Sequence, residues 1–76
     1  MTDVLFPLMS GAEDATGVVA TWFVESGDEV TPATLIAEVA VDKVDAEVYP
    51  DTSGVITLLV EENKEIPQGA VIAQVT

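Results

Sequence analysis

Short apolar runs, each closed by Gly, Pro, Asp or Ser, set the rhythm of this chain. None is long enough for an ordinary helix, and Val, Ile, Phe, Trp and Thr are concentrated in them, as a half-buried pleated surface prefers. The pattern predicts strands at Val4 to Phe6, Gly17 to Val24, Leu35 to Val41, Val44 to Tyr49, Gly54 to Val60 and Val71 to Val75. No helix is expected.

The pattern also repeats. The segment from Gly17 to Val39 can be laid over the segment from Gly54 to Val75 with a single one-residue gap. Gly17, Val18 and Val19 fall on Gly54, Val55 and Ile56; Val24 and Glu25 fall on Val60 and Glu61. Glu29 and Val30 fall on Glu65 and Ile66, and Leu35, Ile36, Ala37 and Val39 on Val71, Ile72, Ala73 and Val75. Two copies of one strand-turn-strand unit, each with one apolar face, can bury those faces only against each other. The expected fold is therefore all-β, with two antiparallel sheets closing into a flattened barrel of approximate two-fold symmetry. The turns inside the copies, Glu25 to Glu29 and Glu61 to Glu65, carry Gly27 and Asn63, the residue types that best tolerate positive φ, and read as matched tight turns.

Between the copies, Val39 and Val41 precede Asp42-Lys43, and Val44, Ala46 and Val48 follow it with Asp45 and Glu47 interleaved. This predicts a two-strand hairpin with the Asp42-Lys43 pair at its tightest point, since an Asp side chain can bond nearby backbone donors in a turn. Lys43 is thereby held at an exposed tip. Alone, such a lysine reads as surface charge balance, which is also the reading for Lys64 in the second repeat turn. Trp22, flanked by Phe23 and Val24, reads as core or rim packing rather than as a stacking platform.

Composition narrows the chemistry. The chain of 76 residues has room for one domain and one core, and 49% of it is hydrophobic, enough apolar surface to fold despite its charge. Fourteen acidic residues against two lysines give a net charge of −12, which argues against a phosphate backbone or an anionic membrane as a partner and for neutral or basic ones. Much of that acid reads as a solubilising surface. There is no Cys and no His, so thiol nucleophiles, His-based triads, disulfides and the usual zinc or iron ligand sets are excluded. The carboxylates do not follow a calcium-loop pattern. No run approaches the roughly twenty apolar residues of a membrane span, and the N-terminus lacks the basic region of a signal peptide, so the chain reads as soluble and intracellular.

Over essentially its whole length the sequence resembles the lipoyl domains of 2-oxo-acid dehydrogenase complexes. Phe6, Pro7, Leu8, Met9 and Ser10 resemble the family's opening strand and its Pro-Leu step. Gly17, Val18, Val19, Trp22, Phe23, Val24, Gly27 and Asp28 resemble its next element, and Ala40, Val41, Asp42, Lys43, Val44, Glu47, Val48 and Gly54 resemble its attachment motif. The specificity lies in this co-alignment, not in the Asp-Lys pair. Three positions depart from the pattern: Ala40-Val41 stands for the more usual Glu-Thr, Val44 stands for Ala, and the loop from Ser10 to Thr16 looks one residue longer. In family members that loop lies beside the lipoyl-lysine and helps the dehydrogenase recognise its carrier.

The resemblance implies a barrel-sandwich hybrid of two four-stranded antiparallel sheets over residues 1–76. It implies N6-lipoyllysine at Lys43, with Asp42 and Val44 as flanking recognition residues and no catalytic residue in the domain itself. The domain would be part of a dihydrolipoamide acyltransferase, its arm carrying acyl groups and reducing equivalents between active sites. Its implied partners are a lipoate ligase or lipoyl transferase, a thiamine-dependent 2-oxo-acid dehydrogenase, dihydrolipoamide dehydrogenase and the acyltransferase core. Its location would be the cytoplasm of a bacterium or archaeon, or the mitochondrial matrix of a eukaryote. The competing readings are a biotinyl carrier domain, whose usual Met-Lys-Met setting is absent here, and an unmodified barrel that serves as an adaptor. A stand-alone enzyme is disfavoured for want of a catalytic set.

Overall fold

A computed structural model describes residues 1–9 and 15–76. It contains eight strands: β1 (Thr2–Leu5), β2 (Thr16–Trp22), β3 (Glu29–Val30), β4 (Ala37–Val41), β5 (Val44–Val48), β6 (Gly54–Leu58), β7 (Ile66–Pro67) and β8 (Val71–Val75). They form two four-stranded antiparallel sheets, ordered β1-β8-β6-β3 and β5-β4-β2-β7. Exchanging each strand for the one four places away turns the first order into the second, so the expected two-fold symmetry is present in the topology itself. The sheets pack as a flattened sandwich, and no ladder joins them into a continuous barrel among the described residues.

The six strands expected from the apolar runs are all present, several of them shorter at one end. Two further strands, β3 and β7, are only two residues long, too short for alternation to reveal. The sequence nevertheless marks them as equivalents, because Glu29-Val30 and Glu65-Ile66 align in the repeat.

The one-residue gap between the copies has a structural meaning. Val19 lies opposite Val39 and Thr21 opposite Glu38, leaving Ala20 as an extra residue on β2, whereas Ile56, Thr57 and Leu58 pair without interruption with Val75, Gln74 and Ala73. Ala20 is thus a β-bulge, which restores the register of the first copy on its far side.

Val19, Ile36, Ala37, Val39, Ile56, Ile72, Ala73 and Val75 are fully or almost fully buried between the sheets, and Phe6 joins them from the end of β1. No polar or charged residue is buried among the described residues. Burying a Val or Ile side chain is worth about 1.5–3 kcal/mol, so in a chain this small these few residues dominate stability.

The copies are also stitched by symmetric turn-to-strand hydrogen bonds. The Gly27 N–H donates to the Ile56 carbonyl at 2.8 Å, and the Asn63 N–H donates to the Val19 carbonyl at 2.8 Å. Both donors have positive φ, 100° and 64°, as the turn reading expected. Further along each strand the residue before the turn donor accepts in return: the Ser26 hydroxyl accepts from Leu58 N–H, and a Glu62 carboxylate oxygen accepts from Trp22 N–H. The Trp22 indole N–H donates to the Val60 carbonyl at 3.0 Å, which places the ring as packing at the rim of the core.

The glycine that opens each copy is explained by close backbone approach. A Cβ on Gly17 would sit 2.5 Å from the Ala40 carbonyl oxygen and 2.8 Å from Val41 Cγ2, and a Cβ on its mate Gly54 would meet the Thr76 carbonyl oxygen. Gly17→Ala therefore forces β2 away from β4, an overpacking strain expected to cost about 1–3 kcal/mol; urea denaturation followed by Trp22 fluorescence measures it.

Candidate functional site

The segment joining the two copies forms the expected hairpin. β4 and β5 pair in register from Ala37 opposite Val48 to Val41 opposite Val44, and Asp42 and Lys43 form the two-residue turn. Val39, Val41 and Val48 point into the core and are buried, which fixes the hairpin to the sandwich by its root. Val44 is in phase with Ala46 and Val48, yet it is 57% exposed, while Val41 directly opposite it is buried: β4 is an inner strand of its sheet and β5 an edge strand.

The turn is tight at one residue in particular. Asp42 adopts a positive φ of 54°, and Lys43 does not. Positive φ at the first turn residue suits the right-handed twist of a two-residue hairpin, and after Gly, Asn and Asp tolerate it best. Asp42 thus has a conformational role that the sequence reading, which took it for a turn residue by its side-chain bonding, did not assign.

Lys43 is exposed and makes no hydrogen bond or ion pair among the described residues. Its Nζ therefore has no partner among the described residues that a reaction would have to displace. The outward face of the hairpin carries Asp45, Glu38 and Glu47, with Glu38 directly opposite Glu47. At the symmetry-related place in the other sheet Asp3 stands opposite Gln74, whose side-chain amide donates to the Asp3 carboxylate at 3.1 Å. The lysine-bearing sheet thus keeps a like-charge pair where the other sheet has a hydrogen bond. Lys64 lies on the residue 61–65 turn, next to the positive-φ Asn63, in a strand connection rather than at a hairpin tip.

The three positions singled out in the sequence, Asp42, Lys43 and Val44, are thus brought together as one exposed tip. Of the loop noted as one residue longer, Ser10 to Thr16, residues 10–14 lie outside the described residues.

A protein-family model described as "Biotin-requiring enzyme", the biotin/lipoyl model, matches residues 2–75. The chain belongs to the biotin/lipoyl domain family. Among curated proteins, it is similar to the lipoamide acyltransferase component of a branched-chain alpha-keto acid dehydrogenase complex from Bacillus subtilis (strain 168), with 39% identity over 66 residues. That alignment covers 86% of this chain but 16% of the relative, so this biotin/lipoyl domain corresponds to a small part of that protein. No solved structure matches the chain.

The conformation of the tip gives a test separable from any chemistry on the lysine. Asp42→Gly should keep or slightly raise stability, whereas Asp42→Val, a β-branched residue forced into positive φ, should lower it by about 1–3 kcal/mol in denaturant titrations.

Proposed function

We propose that this domain is a lipoyl carrier of a 2-oxo-acid dehydrogenase complex, modified on the side-chain amine of Lys43. The observation that carries the reading is the unpartnered, exposed Lys43 at the tip of a two-residue hairpin, in a chain whose family is built around such attachment. The residues fit the group: the tip has no cavity to fill and no competing ligand, and an arm fixed there projects away from the sandwich.

Lipoate, once bound, supplies a disulfide that accepts electrons and an acyl group. The chain's own contribution is position. The Lys43 amine would attack the carbonyl of ATP-activated lipoate, forming an amide as the activating group leaves, which would remove one of the two positive side chains and deepen the acidity of the tip. The buried roots of β4 and β5 hold the tip in place while the side chain and its arm sweep. Such tethering raises the effective concentration of the carried group at each site it visits. Asp42 sets the turn, and the exposed Val44 offers an apolar contact beside the lysine, so both are read as recognition residues for the modifying enzyme and the dehydrogenase.

The assembly proposed around the domain comprises a lipoate ligase or lipoyl transferase, a thiamine-dependent dehydrogenase, dihydrolipoamide dehydrogenase and an acyltransferase core. The relative's description as a lipoamide acyltransferase component supports this assignment. Lipoate is preferred over biotin because Asp42 and Val44 flank the lysine where biotinyl domains usually carry methionines.

Incubation with lipoate ligase, lipoate and ATP should add a single lipoyl group by intact mass, mapped to Lys43 by peptide analysis. Lys43→Arg should abolish the adduct and Lys64→Arg should leave it. No adduct would favour an unmodified adaptor, and an adduct only with biotin and a biotin ligase would favour the biotinyl reading. Replacing Asp42 by Asn and Val44 by Ser together should slow lipoylation by about tenfold, equivalent to about 1.4 kcal/mol of lost recognition; an unchanged rate would remove both residues from that role.

A further inference from the structure

On one side of the sandwich the outer strands of the two sheets, β1 and β5, come together around a groove of about 290 Å³. Among the described residues each of these strands pairs on one side only, so the groove runs along two backbone edges left free by them.

The walls are symmetry mates. Val4 lies opposite Ala73 as Val48 lies opposite Ala37, which makes Asp3 the mate of Glu47 and Leu5 the mate of Tyr49. These three pairs of mates, Asp3 and Glu47, Val4 and Val48, Leu5 and Tyr49, all line the groove. Val4 and Val48 are buried and form its floor. Leu5 and Tyr49, by contrast, are 51% and 45% exposed. The Tyr49 hydroxyl has no hydrogen-bond partner among the described residues. Asp51 adds a third carboxylate to the lining, and neither lysine of the chain is part of it.

We propose that this groove docks an extended, arginine-containing segment of a partner polypeptide. Free strand edges accept an added strand through backbone hydrogen bonds, and the side pockets between them select its residues. The exposed Leu5 and Tyr49 take an aliphatic side chain, and a guanidinium stacks on the Tyr49 ring while bonding the facing carboxylates. Charge complementarity decides the occupant, because among the described residues the groove has three acids and no cation to neutralise them. Acids alone would serve to blunt the free edges; two large exposed side chains between those edges would defeat that purpose. Glu47 is four residues along β5 from Lys43, about 13 Å at strand rise, so a docked segment leaves the tip accessible.

The test uses the ¹⁵N-labelled, unmodified domain and the peptide acetyl-Arg-Leu-Arg-Val-Arg-amide, with acetyl-Lys-Gly-Lys-Gly-Lys-amide as a control of equal charge, at about 0.1 M salt, where exposed charges are screened beyond roughly 10 Å. Saturable amide shifts confined to residues 3–7 and 47–51 are expected, with the control binding about tenfold more weakly for want of apolar and planar contacts. Leu5→Ser and Tyr49→Ser, each checked for native spectral dispersion, should each weaken binding by about fivefold. The proposal is overturned if there is no saturable shift, if shifts spread equally over the acidic 61–65 turn, if the control binds equally well, or if neither substitution weakens binding. Because the sample carries no lipoyl group, these outcomes are independent of whether Lys43 is modified.

Discussion

The structure depends on one constraint: two half-units, each apolar on a single face, have no way to bury that face except against the other. Everything else follows its symmetry. The strand orders of the two sheets are images of each other, and the equivalent positions Val19 and Ile56, Ile36 and Ile72, and Val39 and Val75 are all buried in the core. The turn of each copy donates a backbone hydrogen bond to the central strand of the other, from Gly27 to Ile56 and from Asn63 to Val19. Neither half can be completed alone, because its turn bonds and its core partners both belong to its mate.

A symmetric sandwich makes functional asymmetry conspicuous. The hairpin bearing Lys43 has as its symmetry counterpart the two chain ends, where Thr2 pairs with Val75. The connecting hairpin offers a continuous two-residue turn at its tip. It is held by buried Val39, Val41 and Val48, while Asp42 at positive φ, Lys43 and Val44 are exposed. Rigid placement and an unencumbered amine coexist because they belong to different parts of the same hairpin.

The acid content has a distribution as well as a total. Glu38 and Glu47 face each other beside the lysine, and Asp3, Glu47 and Asp51 line the groove on the symmetry axis, so Glu47 belongs to both surfaces. None of these side chains is neutralised by a cation of the chain, whose two lysines lie on turns. A self-repelling surface of this kind is suited to basic partners.

Much of this was legible in the residues. Alternation located six strands, the repeat implied the symmetry and matched Gly27 with Asn63, and the Asp-Lys pair marked the hairpin tip, because local patterning and turn chemistry act over a few neighbouring residues. The two-residue strands β3 and β7 were too short to alternate, although the repeat had aligned them. The gap in the repeat was visible, but only pairing with β4 showed that Ala20 carries it as a bulge. The groove was hidden altogether, since β1 and β5 lie outside the aligned copies and become equivalent only through their partners β8 and β4. By itself the sequence determined the strands, the duplication and the lysine that stands between the copies. Tertiary structure alone decided which residues became neighbours across the symmetry axis, because that proximity is created when two distant faces pack and is written in no local segment of the chain.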